Sequence, residues 1–122
     1  MAHFKVLIID DDDAFREAIS GLLREQFSTI EIREANNYRR ALQQIDNLDL
    51  VFVDISLPGE NGLELAAKLK RAYPELVVSI LTIHDSPEYR EAAFRCGADY
   101  FVPKGAPGEE ILKVVQSLGD IR

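Results

Sequence analysis

The sequence predicts an α/β fold: one doubly wound (βα)5 domain over residues 1–122, its five-stranded parallel sheet in the order 2-1-3-4-5 with helices on both faces. Three observations lead there. Apolar runs rich in Val, Ile and Leu recur five times, as strands buried on both faces do. Each run is followed by a stretch of helical periodicity. At 122 residues with 47% hydrophobic and 29% charged content, the chain has material for one core and no room for a second folded domain. Right-handed crossovers then leave few topologies open, and in the one chosen ligands bind at the carboxyl ends of the strands.

The first strand is Phe4 to Ile9, and after it Phe15, Ala18, Ile19, Leu22 and Leu23 share one helical face. A second, more exposed strand, Ile30 to Ala35, alternates apolar and polar residues, and Asn36 or Asn37 caps a short helix over residues 38–45. Residues 50–53 form a third strand ending at Asp54; beyond the Pro58-Gly59 turn, Leu65, Ala66, Leu69 and Tyr73 line a helix closed by Pro74. The fourth strand, Val77 to Thr82, leads to a cap at Asp85 or Ser86, then Pro87 in the first helical turn, Tyr89, Ala92, Ala93 and Cys96 on one face, and Gly97 at the end. Residues 100–102 make a short edge strand beside Pro103, and Pro107 opens a last helix with Ile111, Val114, Val115 and Leu118 inward.

Composition excludes several classes of function. A net charge of -7, from 21 acidic against 14 basic residues, gives no basic footprint for gripping nucleic acid directly. No apolar run approaches the ~20 residues that span a bilayer, so no membrane association is expected. The single cysteine, Cys96, has no internal partner, and the chain start lacks the features of a signal peptide; both point to the reducing cytoplasm.

The chemistry gathers at the strands' carboxyl ends: Asp10 and Asp11 after the first, Asp54 after the third, Thr82 after the fourth and Lys104 after the fifth. Taken singly, an acidic residue after a strand is commonly a helix cap. Three carboxylates in one crevice repel by roughly 4 kcal/mol per adjacent pair at an effective dielectric near 20, so together they need a compensating cation, and hard oxygen ligands select Mg²⁺.

Val6-Leu7-Ile8-Ile9-Asp10-Asp11, Asp54-Ile55-Ser56-Leu57-Pro58-Gly59 with Gly62, Leu81-Thr82 and Phe101-Val102-Pro103-Lys104 together resemble the receiver domains of two-component response regulators, a flavodoxin-like, chemotaxis-regulator-like family. The resemblance covers residues 5–118. Leu81-Thr82-Ile83-His84-Asp85 and Gly97-Ala98-Asp99-Tyr100 are further similar to receivers of nitrate-response and quorum-sensing transcriptional regulators. It implies that Asp54 is the phosphoacceptor, that Asp10, Asp11, Asp54 and the Ser56 backbone carbonyl hold Mg²⁺, and that Thr82 and Lys104 bind the phosphoryl oxygens. Thr82 and Phe101 become the switch pair. The donor would be a sensor histidine kinase or a phosphotransfer protein, and the chain would be no enzyme beyond self-phosphorylation and autodephosphorylation. The face of the fourth helix, fifth strand and fifth helix would carry the signal, with phosphorylation-dependent homodimerisation there or through the fifth helix. Residues 116–122 end where a linker to a C-terminal output domain would start; a free-standing receiver is the other arrangement.

The pattern departs from the family's commonest form in two places. Pro103 precedes Lys104 instead of following it, and Ile83 stands where many receivers carry alanine, a branched side chain that narrows access to Asp54. Ser56 and His84, each two residues past a site residue, are candidates for tuning the lifetime of the acyl phosphate, although a loop histidine can equally be only solvated. Asp10-Asp11-Asp12 also fits the Asp-x-Asp signature of a haloacid-dehalogenase-type phosphohydrolase, but Ala14 stands where that motif wants threonine or valine and the chain has no cap domain. A calcium loop starting at Asp10 fails at Phe15 and Gly21, and neither nucleotide-binding glycine fingerprint follows a strand. A pseudo-receiver would show an incomplete pocket, whereas here the set is complete.

Overall fold

The computed structural model describes residues 4–105 and 107–118, without the side chain of Pro107; residues 119–122 of the expected linker start lie outside the described residues. The elements run β1 (Phe4–Ile9), α1 (Asp13–Gln26), β2 (Ile30–Ala35), α2 (Tyr38–Leu42), β3 (Leu50–Asp54), α3 (Gly62–Ala72), β4 (Val77–Thr82), α4 (Pro87–Arg95), β5 (Tyr100–Pro103) and α5 (Pro107–Ser117). All strand pairs are parallel, in the order β2-β1-β3-β4-β5.

Strand alternation divides the apolar residues between two cores. Leu7, Ile9, Val51, Val53, Val78, Ile80 and Phe101 face α2, α3 and α4. Val6, Ile8, Leu50, Phe52, Leu81 and Val102 face α1 and α5, meeting Ile19, Leu23, Ile111, Val114 and Val115. With both faces covered, β1 and β3 have no polar side until Asp10 and Asp54, and this places those carboxylates at the upper rim of the sheet.

Four helices begin on a side chain that accepts a backbone N–H of the first turn: Asp12 from Phe15, Asn37 from Arg40, Asn61 from Glu64 and Ser86 from Tyr89. Of the paired candidates, Asn37 and Ser86 are therefore the caps.

Four expectations are corrected. Helix α2 stops at Leu42 rather than Ile45, because Gln43 closes it with a tightened turn to Arg40 and Ala41 while Ile45 reaches the core from the following loop. Tyr73 caps α3 in a non-helical conformation, so its ring leaves the inward face and is 43% exposed. On α1, Ala18 is exposed, and on α4 only Ala93 of the predicted stripe is fully buried, since this short helix covers the sheet edge on one line alone.

Candidate functional site: an acidic pocket at the strand ends

The sheet's hydrogen bonding runs on past the strands and fixes the loops that bear the site. Asp10 N donates to Ala35 O at 3.0 Å, Ile55 N to Leu81 O at 3.2 Å and Lys104 N to Thr82 O at 2.7 Å. Through these bonds Asp10, Asp11, Asp54 and Lys104 converge. Asp10, Asp11 and Asp54 each offer one carboxylate oxygen, all within 4.8 Å of one another. Asp10 and Asp54 are buried, and Asp11 faces solvent.

Asp54 is hydrogen-bonded at both carboxylate oxygens, and Asp10 at one. Asp54 Oδ1 accepts from Ser56 N at 2.7 Å, and Oδ2 accepts from Lys104 Nζ at 3.1 Å. Asp10 Oδ1 accepts from Asp12 N at 2.9 Å, while Lys104 Nζ lies 2.6 Å from Asp10 Oδ2 as an ion pair. Among the described residues the shared Lys104 ammonium is the one polar partner of this buried oxygen. Phe15 lies under the lysine, its ring centroid 4.7 Å from Nζ.

The electrostatics follow from burial. Loss of solvent raises the Asp10 pKa above the usual carboxylate value, and Lys104 with the Asp12 N–H offsets this only in part. Burial works against the Lys104 charge, but Asp10 and Asp54 outweigh it and hold the ammonium above the ordinary lysine range. One ammonium thus faces two buried carboxylates with a third at the rim. Asp10 Oδ2, whose only polar partner is an ammonium shared with Asp54, and an all-oxygen set fit a small hard cation, and the cluster can bind a metal.

Thr82 is wholly buried at the end of β4, one residue beyond the Leu81 that pairs with Asp54, and its Oγ1 accepts from His84 N at 2.8 Å. The other predicted residues lie around the pocket. Phe101 is buried among the α4-side core residues, with the Arg90 guanidinium 4.8 Å over its ring. Ile83 is 69% exposed, and the His84 ring stacks on Tyr89 at 4.9 Å. Ser56 Oγ is buried, without a hydrogen-bond partner among the described residues. No peptide bond among these residues is cis, Lys104 to Gly105 included.

Two residues escaped the sequence reading. Arg16 Nη1 donates to the Asp10 carbonyl at 2.6 Å while its other nitrogens pair with Glu34 and Asp13. Tyr38 Oη donates to the Asp54 carbonyl at 2.7 Å. Burial, then Asp54 and Glu60, push the Tyr38 phenol well above its usual pKa, so it stays a donor. The only signal for Tyr38 was an aromatic residue opening a helix at the carboxyl end of β2.

A buried carboxylate beside two others and an ammonium, at the rim of a doubly wound sheet, is the arrangement that the resemblance to receiver domains implies. The family model for the response regulator receiver domain matches residues 6–116, and the chain belongs to that family. It is 36% identical to a cyclic di-GMP phosphodiesterase of Thermotoga maritima over 93% of this chain and 30% of that protein. It is 32% identical to the oxygen regulatory protein NreC of Staphylococcus haemolyticus over 93% of this chain and 54% of that regulator. Among solved structures, a Burkholderia pseudomallei response regulator described with a phosphorylated aspartic acid, calcium ion and citrate aligns with TM-score 0.80. It is 27% identical, over 96% of this chain and 73% of that one. The chain spans 30% to 54% of the length of the curated relatives it matches. Among the described residues no helix is long and apolar enough to cross a membrane.

Proposed function

We propose that this receiver domain takes a phosphoryl group onto Asp54 from a sensor histidine kinase or a phosphotransfer protein, with Mg²⁺, and thereby controls an output domain or partner. The observation that carries the reading is the Asp54 carboxylate, buried, aimed by Ser56 N and Lys104, with oxygens of Asp10 and Asp11 within 4.8 Å. The phosphorylated aspartic acid and calcium ion described for the Burkholderia pseudomallei regulator support it.

A carboxylate oxygen of Asp54 attacks phosphorus in line, and the bond from phosphorus to the donor's imidazole nitrogen breaks with its electron pair leaving on nitrogen. Lys104 and the Thr82 hydroxyl take the phosphoryl oxygens. Asp10, Asp11, Asp54 and the Ser56 carbonyl would hold Mg²⁺, which would supply neutralisation of the charge developing on those oxygens. The new acyl phosphate adds up to two negative charges, drawing the Thr82 hydroxyl toward it. Phe101 repacks with Thr82, and α4, β5 and α5 carry the change outward, including to a second copy of the domain. Driving such a switch from 1:99 to 99:1 needs about 5.5 kcal/mol, within reach of a few charge-assisted hydrogen bonds. Ser56, Ile83 and His84 set the lifetime of the acyl phosphate. The domain is no enzyme beyond its own phosphorylation and dephosphorylation, and it acts in the cytoplasm.

Intact-protein mass after incubation with Mg²⁺ and acetyl phosphate tests the reading. The parent gains one phosphoryl group and Asp54→Asn gains none; equal gain in both would overturn it.

A further inference from the structure

We infer that Tyr38 is a positioning residue for phosphoryl transfer: its phenol holds the main-chain carbonyl of Asp54 and so fixes how the Asp54 carboxylate faces an incoming phosphorus. The inference rests on Asp54 being the phosphoacceptor.

Asp54 is the last residue of β3, and β1 pairs with β3 only as far as Val53, so on that side Asp54 stands beyond the ladder. On its other side it pairs with Leu81 of β4, and three polar contacts add to that hold. Ser56 N and Lys104 Nζ touch the carboxylate oxygens, and Lys104 is shared with Asp10. The Tyr38 phenol grips the backbone instead, at 2.7 Å, in a buried hydrogen bond between residues sixteen apart in sequence. A carboxylate whose Cα can rock does not keep its oxygen in line, whatever holds the oxygen itself.

Tyr38 is held firmly enough to serve. Its ring is buried, its own N–H donates to Glu60 Oε1 at 3.1 Å across to the loop after β3, and Asn37 caps its helix. Space for the hydroxyl exists because residue 62 is glycine: a Cβ there would lie 2.6 Å from the oxygen. Among the described residues the hydrogen bonds to the Asp54 carboxylate come from Ser56 and Lys104, and the phenol bonds the carbonyl alone.

With acetyl phosphate, an Asp54 oxygen bonds to phosphorus while the bond from phosphorus to the acetate oxygen breaks, its electrons leaving with acetate. No proton moves at Tyr38. Its removal therefore lowers the maximal rate of labelling and leaves the donor concentration for half-maximal rate unchanged, because other groups meet the donor's oxygens.

The test compares parent, Tyr38→Phe and Ile45→Val, the last a core truncation away from Asp54, in Mg²⁺ with increasing acetyl phosphate, each variant verified as folded by circular dichroism. Tyr38→Phe is expected to lose about tenfold in maximal rate, with half-saturation within about twofold, while Ile45→Val matches the parent. A parental rate in Tyr38→Phe overturns the inference. So does an equal loss in Ile45→Val, which would tie the effect to stability, or a loss carried by half-saturation. A parent that takes no phosphoryl group sinks the phosphoacceptor reading first, and this inference with it.

Discussion

Gly62→Ala changes one hydrogen to a methyl group at the most crowded point near the site. The added Cβ would sit 2.6 Å from Ile55 Cγ2, 2.6 Å from Tyr38 Oη and 2.7 Å from Ile55 Cα. Carbon atoms pack comfortably at about 3.5–4.0 Å, so these neighbours must retreat by about 1 Å. Ile55 Cα is backbone, and its residue lies between Asp54 and Ser56, so it cannot simply rotate away. Overpacking of this kind costs about 1–3 kcal/mol. Displacing the phenol from the Asp54 carbonyl adds about 1 kcal/mol. Alanine's better helix propensity returns about 0.5–1 kcal/mol. The net loss is about 2 kcal/mol, which at a urea m-value of about 1.5 kcal/mol per molar lowers the unfolding midpoint by about 1.3 M. The same shift moves Asp54 and slows labelling by acetyl phosphate. A midpoint unchanged within about 0.3 M would refute the reasoning, since relaxation would then have been nearly free.

Five other substitutions probe the pocket. Asp10→Asn in metal-free buffer should stabilise the fold by about 1 kcal/mol, because a buried charge is replaced by a neutral group of the same shape. Because the folded pKa is raised, the folded chain binds this proton more readily than the unfolded one. The stabilisation is therefore absent below the usual value of 3.8, develops as pH rises toward the folded value and is constant above it, as paired urea curves across pH would record. The same variant should lose Mg²⁺-dependent labelling. Lys104→Ala leaves Asp10 and Asp54 facing each other without their cation and should cost about 2 kcal/mol in chelator; added Mg²⁺ should recover part of it in thermal melts, and failure to do so would argue against a metal at these oxygens. Ser56→Ala, Ile83→Ala and His84→Ala should each change the decay rate of the acyl phosphate, with Ile83→Ala near neutral in stability because the side chain is 69% exposed. Decay unchanged in all three would remove them as tuning residues.

The fold was readable because its elements carry opposite periodicities. Runs such as Val6 to Ile9 and Leu50 to Val53 are apolar at every position, which only a strand covered on both faces requires. The placement of Asp10, Asp11, Asp54, Thr82 and Lys104 at the strand ends was readable for a related reason: each breaks or follows such a run. What depends on tertiary geometry was hidden. Nothing local in Tyr38 tells that its hydroxyl reaches the Asp54 carbonyl, and Gly62, although quoted with the motif, shows its reason only once Ile55 and Tyr38 lie against it. Tyr73 and Tyr89 fit helical stripes in sequence yet stay exposed, Tyr73 because it stands at a helix terminus and Tyr89 because α4 covers the sheet on a narrow line, leaving it to stack on His84. Arg90 over Phe101 was likewise invisible, since the two sit on different elements.

The account stands most directly on where the phosphoryl group goes. Borohydride reduction of the chain after labelling with acetyl phosphate and Mg²⁺ converts an aspartyl phosphate to homoserine, and tandem mass spectrometry of the peptides then locates it. The account predicts homoserine at position 54 alone, dependent on Mg²⁺; homoserine at position 10 or 11, or labelling that persists in chelator, would contradict it.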